Sequence, residues 1–220
     1  MLSLYCSLAV TSIGNNIGYL RVSIIKIIGM DYCSNRIFLR RWEDSDAGIL
    51  YEYASDPQVG PRAGWAPHKS LDESLEIIRT VFRNDTTWAI VQKETNKVIG
   101  AMGYGSSCEC NLPSRAGEPT VGYWIARPFW NMGYCTEALS LMISIIKETT
   151  EIKSLISGHF IDNPASGRVM EKCGFIATGD ECFDEALFGV ALFLNLLQGV
   201  GSGVVNLQFD YVNIIFGLEQ

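Results

Sequence analysis

The stretch from Thr120 to Ala138 constrains this chain more than any other. A strand-like run, Thr120 to Ile125, is followed by Arg127-Pro128-Phe129-Trp130-Asn131-Met132-Gly133-Tyr134-Cys135-Thr136-Glu137-Ala138, which turns at a glycine and opens a helix. A strand that passes at once into a helix through such a turn points several backbone N–H groups into one small volume. That volume suits a pyrophosphate. Downstream come Asn163-Pro164-Ala165-Ser166 and then Glu171-Lys172-Cys173-Gly174-Phe175, a second polar cluster where a thioester could be handled. The two together point to coenzyme A chemistry.

Composition narrows the partners. The chain has 220 residues, enough for one well-cored domain and hardly for two, and 48% hydrophobic against 19% charged residues describes a globular protein. A formal charge of -7 argues against a nucleic-acid partner, since duplex binding is driven by basic side chains that displace counterions. A cationic acceptor is better tolerated. Seven cysteines without a C-x-x-C pair, and only two histidines, read as reduced cytoplasmic thiols with no metal site and no disulfide framework.

Both ends of the chain read differently from the middle. Residues 1 to 29 hold two basic residues and no acidic one, and Met30 is an alternative start, so residues 1–35 are expected to form an N-terminal extension. No charge occurs between Glu185 and Asp210, yet Asn195, Gln198 and Asn206 with central glycines make a poor membrane helix. A buried helix or strand pair is the better reading and a membrane span the lesser alternative. Residues 190–220 are thus expected to be an atypical C-terminal segment packed on the domain.

Periodicity orders the rest. Ile37 to Arg41 alternates as a strand, Asp44-Ser45-Asp46 caps a helix near Ala47 to Ala54, and Ser70-Leu71-Asp72-Glu73 matches a capping box for a helix from Ser70 to Arg83. Trp88 to Gln92 and Val98 to Tyr104 are strands joined by a polar hairpin. Thr136 to Lys147 is a helix, Leu155 to Ile161 a strand, and Ala165 to Lys172 a short helix stopped by Gly174. Such an order describes an α/β domain with a mixed sheet.

With these pieces in sequence, the chain from Arg36 to Gly189 resembles a GNAT-superfamily N-acetyltransferase of the ribosomal-protein type. The parts that carry the resemblance are Arg36 to Trp42 with Asp46, Val121-Gly122-Tyr123-Trp124-Ile125, Gly133 to Ala138, and Asn163 to Ser166 with Lys172 to Phe175. The resemblance implies a three-layer α-β-α domain over residues 36–189, with a mixed, mostly antiparallel central sheet. It implies transfer of acetyl from acetyl-CoA, without a metal, to a primary amine by direct attack through a tetrahedral intermediate. The amine would be a small molecule or a basic protein N-terminus, and a homodimer is compatible with the pattern.

Residue by residue, the resemblance assigns pyrophosphate binding to the amides of Met132, Gly133, Tyr134, Cys135 and Thr136. It assigns the oxyanion to the backbone at Trp124 and Ile125, and the cofactor's arm to Asn163 and Lys172. The family usually carries Arg or Gln three residues before the first turn glycine, where this chain has Trp130. Many relatives carry an acidic Tyr where this chain has Met170. Ser166, the fourth residue of Asn163 to Ser166, matches a serine that the ribosomal-protein branch uses near the CoA sulfur, so the resemblance implies it as the donor to the leaving sulfur, and Glu118, acting through a water, is the expected base. His68 lies in a loop expected to line the acceptor site. A non-catalytic acyl-CoA sensor or interaction module on the same scaffold is the alternative. A dinucleotide-binding oxidoreductase is remote, because no Gly-x-Gly-x-x-Gly follows a strand.

Overall fold

The computed structural model describes residues 32–105, 118–182 and 190–196. The expectations for residues 1–31 and 197–220 lie outside the described residues. Among the described residues eight strands form one sheet: β1 (Tyr32–Cys33), β2 (Ile37–Arg40), β3 (Thr87–Gln92), β4 (Lys97–Gly105), β5 (Thr120–Ile125), β6 (Ser154–Phe160), β7 (Ile176–Cys182) and β8 (Val190–Leu196). Their order across the sheet is β1-β2-β3-β4-β5-β6-β8-β7. Every pairing is antiparallel except β5 with β6, so the sheet is mixed and mostly antiparallel as expected.

Helices α1 (Ala47–Ala54) and α2 (Leu71–Ile77) cover one face of the sheet, while α3 (Tyr134–Thr149) and α4 (Pro164–Lys172) belong to the other. Under α1 and α2 the core is Trp42, Leu50, Ala54, Val59, Ile78, Ala89, Val91, Val98, Ala101 and Trp124. The apolar stripe of α3 is Ala138, Leu139, Met142, Ile143, Ile145 and Ile146, and Ile37 and Leu39 on alternate positions of β2 are fully buried. Period 3.6 in the helix and period 2 in the strand thus supply the buried positions of two adjoining elements. Burying side chains of this size contributes about 1.5–3 kcal/mol each in transfer free energy.

The helix starts follow local chemistry. Arg40 grips Asp46 with both guanidinium nitrogens at 2.6 and 2.7 Å, and Asp46 also accepts from the Glu43 amide at 3.0 Å. That pair bends the chain from β2 into α1. At α2, Ser70 Oγ accepts from the Glu73 amide at 3.1 Å as a capping box requires. The return bond differs from expectation: Glu73 accepts from the amide of Lys69, not of Ser70. The expected helix from Ser70 to Arg83 also divides, because α2 ends at Ile77 and Ile78–Phe82 winds on as a wider π turn.

Two topological facts position the site. Parallel β5 and β6 are in register only at Thr120 and Ile156, beyond which they part. Ser157 Oγ still reaches the Val121 carbonyl at 3.0 Å, and no ladder continues past it. An opening between two strands of one sheet results, at the C-terminal end of β5. On the far side of β6, Val190–Leu196 pairs with β6 on one edge and β7 on the other. An uncharged run suits a strand with neighbours on both edges, and this explains part of the charge-free stretch.

Leu139 is fully buried. Leu139→Ala is expected to cost about 2–5 kcal/mol of unfolding free energy. Urea denaturation checks this, and an unchanged midpoint would show that α3 is not a principal core contributor.

Candidate functional site

The chain leaves β5 through Ala126 and a single 3-10 turn, Arg127–Phe129, with Trp130 extended after it. Asn131 then adopts φ +60° and Gly133 φ +80°, two left-handed residues around Met132. Only glycine takes such a φ at low cost, which is why Gly133 sits there. The N–H groups of Tyr134, Cys135 and Thr136 have no partner within the helix, since the first helical bond runs from the Glu137 amide to the Gly133 carbonyl at 3.0 Å.

Arg36 and Glu137 hold this turn from outside. Glu137 accepts from Ser34 Oγ at 2.7 Å, from the Arg36 amide at 2.8 Å and from Arg36 Nε at 2.7 Å. Arg36 Nη1 in turn donates to the Met132 carbonyl at 2.9 Å, and the guanidinium lies 4.5 Å from the centroid of the Tyr134 ring. The Tyr134 hydroxyl accepts from Gln92 Nε2 at 2.7 Å, and the ring meets Phe129 edge-on. The clamp occupies the Met132 carbonyl on the outside of the turn, so the helix start presents donors rather than acceptors to the inside. Burial opposes the Glu137 charge, but the Ser34 hydroxyl and the Arg36 amide and guanidinium together hold its carboxyl below the ordinary range.

Inside the turn lies a cavity of about 420 Å³, within the range of small-ligand sites. Of the residues expected from sequence, Trp124, Ile125, Gly133, Tyr134, Cys135, Thr136, Asn163, Ser166 and Lys172 line it together. Met132 does not: its side chain is exposed and its carbonyl belongs to Arg36. Glu118 does not either. It precedes β5 at the end remote from the cavity, about 17 Å along the strand from Tyr123 at 3.3 Å per residue, and accepts from Ser154 Oγ at 2.8 Å. His68 is half-buried against Ser74, with Nδ1 2.8 Å from Ser74 Oγ, and is absent from the cavity wall; burial lowers its pKa.

Sequence reasoning missed Tyr123. Its hydroxyl lies 3.0 Å from Ser166 Oγ and 3.1 Å from the Ser166 carbonyl, and burial raises the phenol's pKa well above its ordinary value. It stays protonated at any physiological pH. Only the fold brings it to Ser166 on α4, forty-three residues downstream. The Ser166 hydroxyl is engaged with Tyr123 in the first turn of α4. Trp130 donates from Nε1 to the Ile125 carbonyl at 2.6 Å, anchoring the turn to the end of β5. Asn163 Nδ2 donates to the Arg62 carbonyl at 3.2 Å, tying the start of α4 to the α1–α2 connection.

The cavity fits a polyphosphate with a long arm. It offers unpaired N–H donors at a helix N-terminus and three cations, Arg62, Arg168 and Lys172, while no carboxylate lines it among the described residues. That concentration of positive charge stands out in a chain of net charge -7. Among the described residues no cluster of His, Cys, Asp and Glu could hold a metal ion, and no helix is long and apolar enough to cross a membrane.

Because Glu137 has a depressed pKa in the folded protein, its charge stabilises the fold above the ordinary carboxyl value of 4.5, and the contribution is lost as pH falls through the lower folded value. Between about pH 5 and 3 the parent chain is expected to lose stability more steeply than Glu137→Gln. Thermal melts across that range check it, and parallel acid limbs would contradict the clamp.

Residues 36–176 match the family model described as an acetyltransferase (GNAT) domain. The chain is 24% identical over 151 residues to the uncharacterized N-acetyltransferase YoaA of Bacillus subtilis, covering 66% of this chain and 82% of that one. Among solved structures, a GNAT-family acetyltransferase from Bacillus anthracis superposes with TM-score 0.63 at 18% identity, covering 76% of this chain and 99% of that one. The RimL ribosomal L7/L12 α-N-protein acetyltransferase in complex with coenzyme A gives TM-score 0.62 at 14% identity, covering 76% and 98%. At these identities the structures establish the shared fold, and the family match spans well over half of the chain: it belongs to the GNAT acetyltransferase family.

Proposed function

We propose that the protein transfers acetyl from acetyl-CoA to a primary amine, either a small amine or a protein N-terminal α-amine as in the ribosomal-protein branch. The observation that carries this reading is the Tyr123–Ser166 pair on the wall of a cavity whose other wall is a helix start rich in free donors. Acetyl-CoA supplies the activated acyl group and a good leaving thiolate. The amides of Tyr134, Cys135 and Thr136 would hold its pyrophosphate, and Lys172 and Asn163 flank its arm.

Ser166 is placed to give a hydrogen bond to the departing sulfur, and Tyr123 to replenish that proton. Each hydroxyl in the pair is both donor and acceptor, so as serine gives its proton to the sulfur it takes one from the phenol, and the phenol is restored by the proton that the amine releases to water. Backbone at the end of β5, beside Trp124 and Ile125, faces the same volume and would stabilise the oxyanion. No lining carboxylate is available to take the amine's proton among the described residues, and Glu118 lies too far along β5 to share the cavity. Attack on the thioester needs the amine's lone pair, so the acceptor reacts as the neutral amine and gives its proton to water. The net charge of -7 draws a basic acceptor toward the molecule before that final desolvation.

Coenzyme A release measured with a panel of amines and basic peptides tests the reading. Ser166→Ala and Tyr123→Phe are each expected to lower kcat about 10²-fold, as loss of a general acid does, with little change in acetyl-CoA binding. Their double variant should cost no more than the worse single one, because the two act as one unit. Cofactor binding without turnover, unchanged in Ser166→Ala, would favour the sensor reading instead.

A further inference from the structure

The position where the family usually places Arg or Gln before the turn is Trp130 here. Its single N–H is already spent on the Ile125 carbonyl at 2.6 Å, so the indole has nothing to offer a phosphate. Yet the guanidinium of Arg62, from the connection between α1 and α2, lies over that indole with Cζ 5.5 Å from the ring centroid. The geometry points to Arg62 as the cation that serves the pyrophosphate turn, delivered from the connection between α1 and α2 and held over Trp130. The assignment rests on the coenzyme A reading given above.

Three observations support it. Arg62 lines the same cavity as Gly133, Tyr134, Cys135 and Thr136, whose amides form the phosphate wall. Among the described residues no carboxylate forms an ion pair with it, whereas Arg36, Arg40, Arg41, Arg79, Arg83 and Arg127 each have one. A guanidinium held over an indole face, with no carboxylate paired to it, keeps N–H groups for a ligand. Its backbone is fixed as well, since the Arg62 carbonyl accepts from Asn163 Nδ2 at 3.2 Å.

Isothermal titration of coenzyme A against the full chain tests the assignment, with the melting temperature of each variant taken first. Arg62→Ala is expected to weaken binding about tenfold or more, as loss of a charge-assisted hydrogen bond does, and to flatten the dependence of affinity on salt. Placing the cation on the turn, in the double variant Arg62→Ala with Trp130→Arg, should restore most of the affinity. Should that variant melt early, Arg62→Lys replaces it and is expected to keep the salt dependence that Arg62→Ala loses. Wild-type affinity in Arg62→Ala, or a loss that neither replacement repairs, overturns the role of Arg62. Failure of the parent chain to bind coenzyme A would overturn the cofactor reading itself, which is a separate outcome.

Discussion

The site depends on the clamp that Arg36 and Glu137 place on the turn after β5. One carboxylate gathers a serine hydroxyl, a backbone amide and a guanidinium, and that guanidinium takes the Met132 carbonyl. A turn with two left-handed residues is costly to maintain, by an amount on the order of 1 kcal/mol or more for the non-glycine member. Asn131 and Gly133 hold that geometry because both neighbours of the turn are tied down: Trp130 to the end of β5, and Tyr134 to Gln92 and Arg36. With the carbonyl accounted for outside, the free amides remain inside, and the start of a long, well-packed helix becomes a binding surface for negative charge.

The second requirement is the parting of β5 and β6. A fully laddered parallel pair would close the sheet at this place and leave no cavity. Register at Thr120 and Ile156 alone keeps the strands together at one end, and the opening at the other admits side chains from both. Tyr123 reaches it from β5 and Ser166 from α4, so the proposed proton donors come from opposite sides of the gap. The same division explains the cations. Arg62 comes from the connection after α1, Arg168 and Lys172 from α4, while Glu137, Asp46, Asp44 and Asp56 are held in ion pairs with other arginines.

Much of this was legible in the residues. The strand, the glycine turn and the helix after it are local features with strong signals, and nine of the residues singled out for binding or catalysis do share one cavity. Ser166 was found through its place in a motif, not through any property of serine. What escaped was contact between distant segments. Trp130 read as a defect, an indole where a donor was expected, until Arg62 was seen lying on it. Glu118 read as a candidate base because it lies on the same face as the reacting end of β5; strand period 2 gives the face but not the distance along it. The expected return bond of the Ser70 capping box is moved by one residue, from the Ser70 amide to that of Lys69.

By itself the sequence determined most of the elements between Ile37 and Lys172 and the chemical character of the turn, because hydrophobic period, glycine conformation and helix capping act over a few residues. Tertiary structure decided which groups face one another: Tyr123 with Ser166, Arg62 with Trp130, Arg36 with Glu137, and an apolar strand at Val190–Leu196 between β6 and β7. Those pairings join residues far apart in the chain, and their energies depend on distance and burial, which no short window of sequence contains.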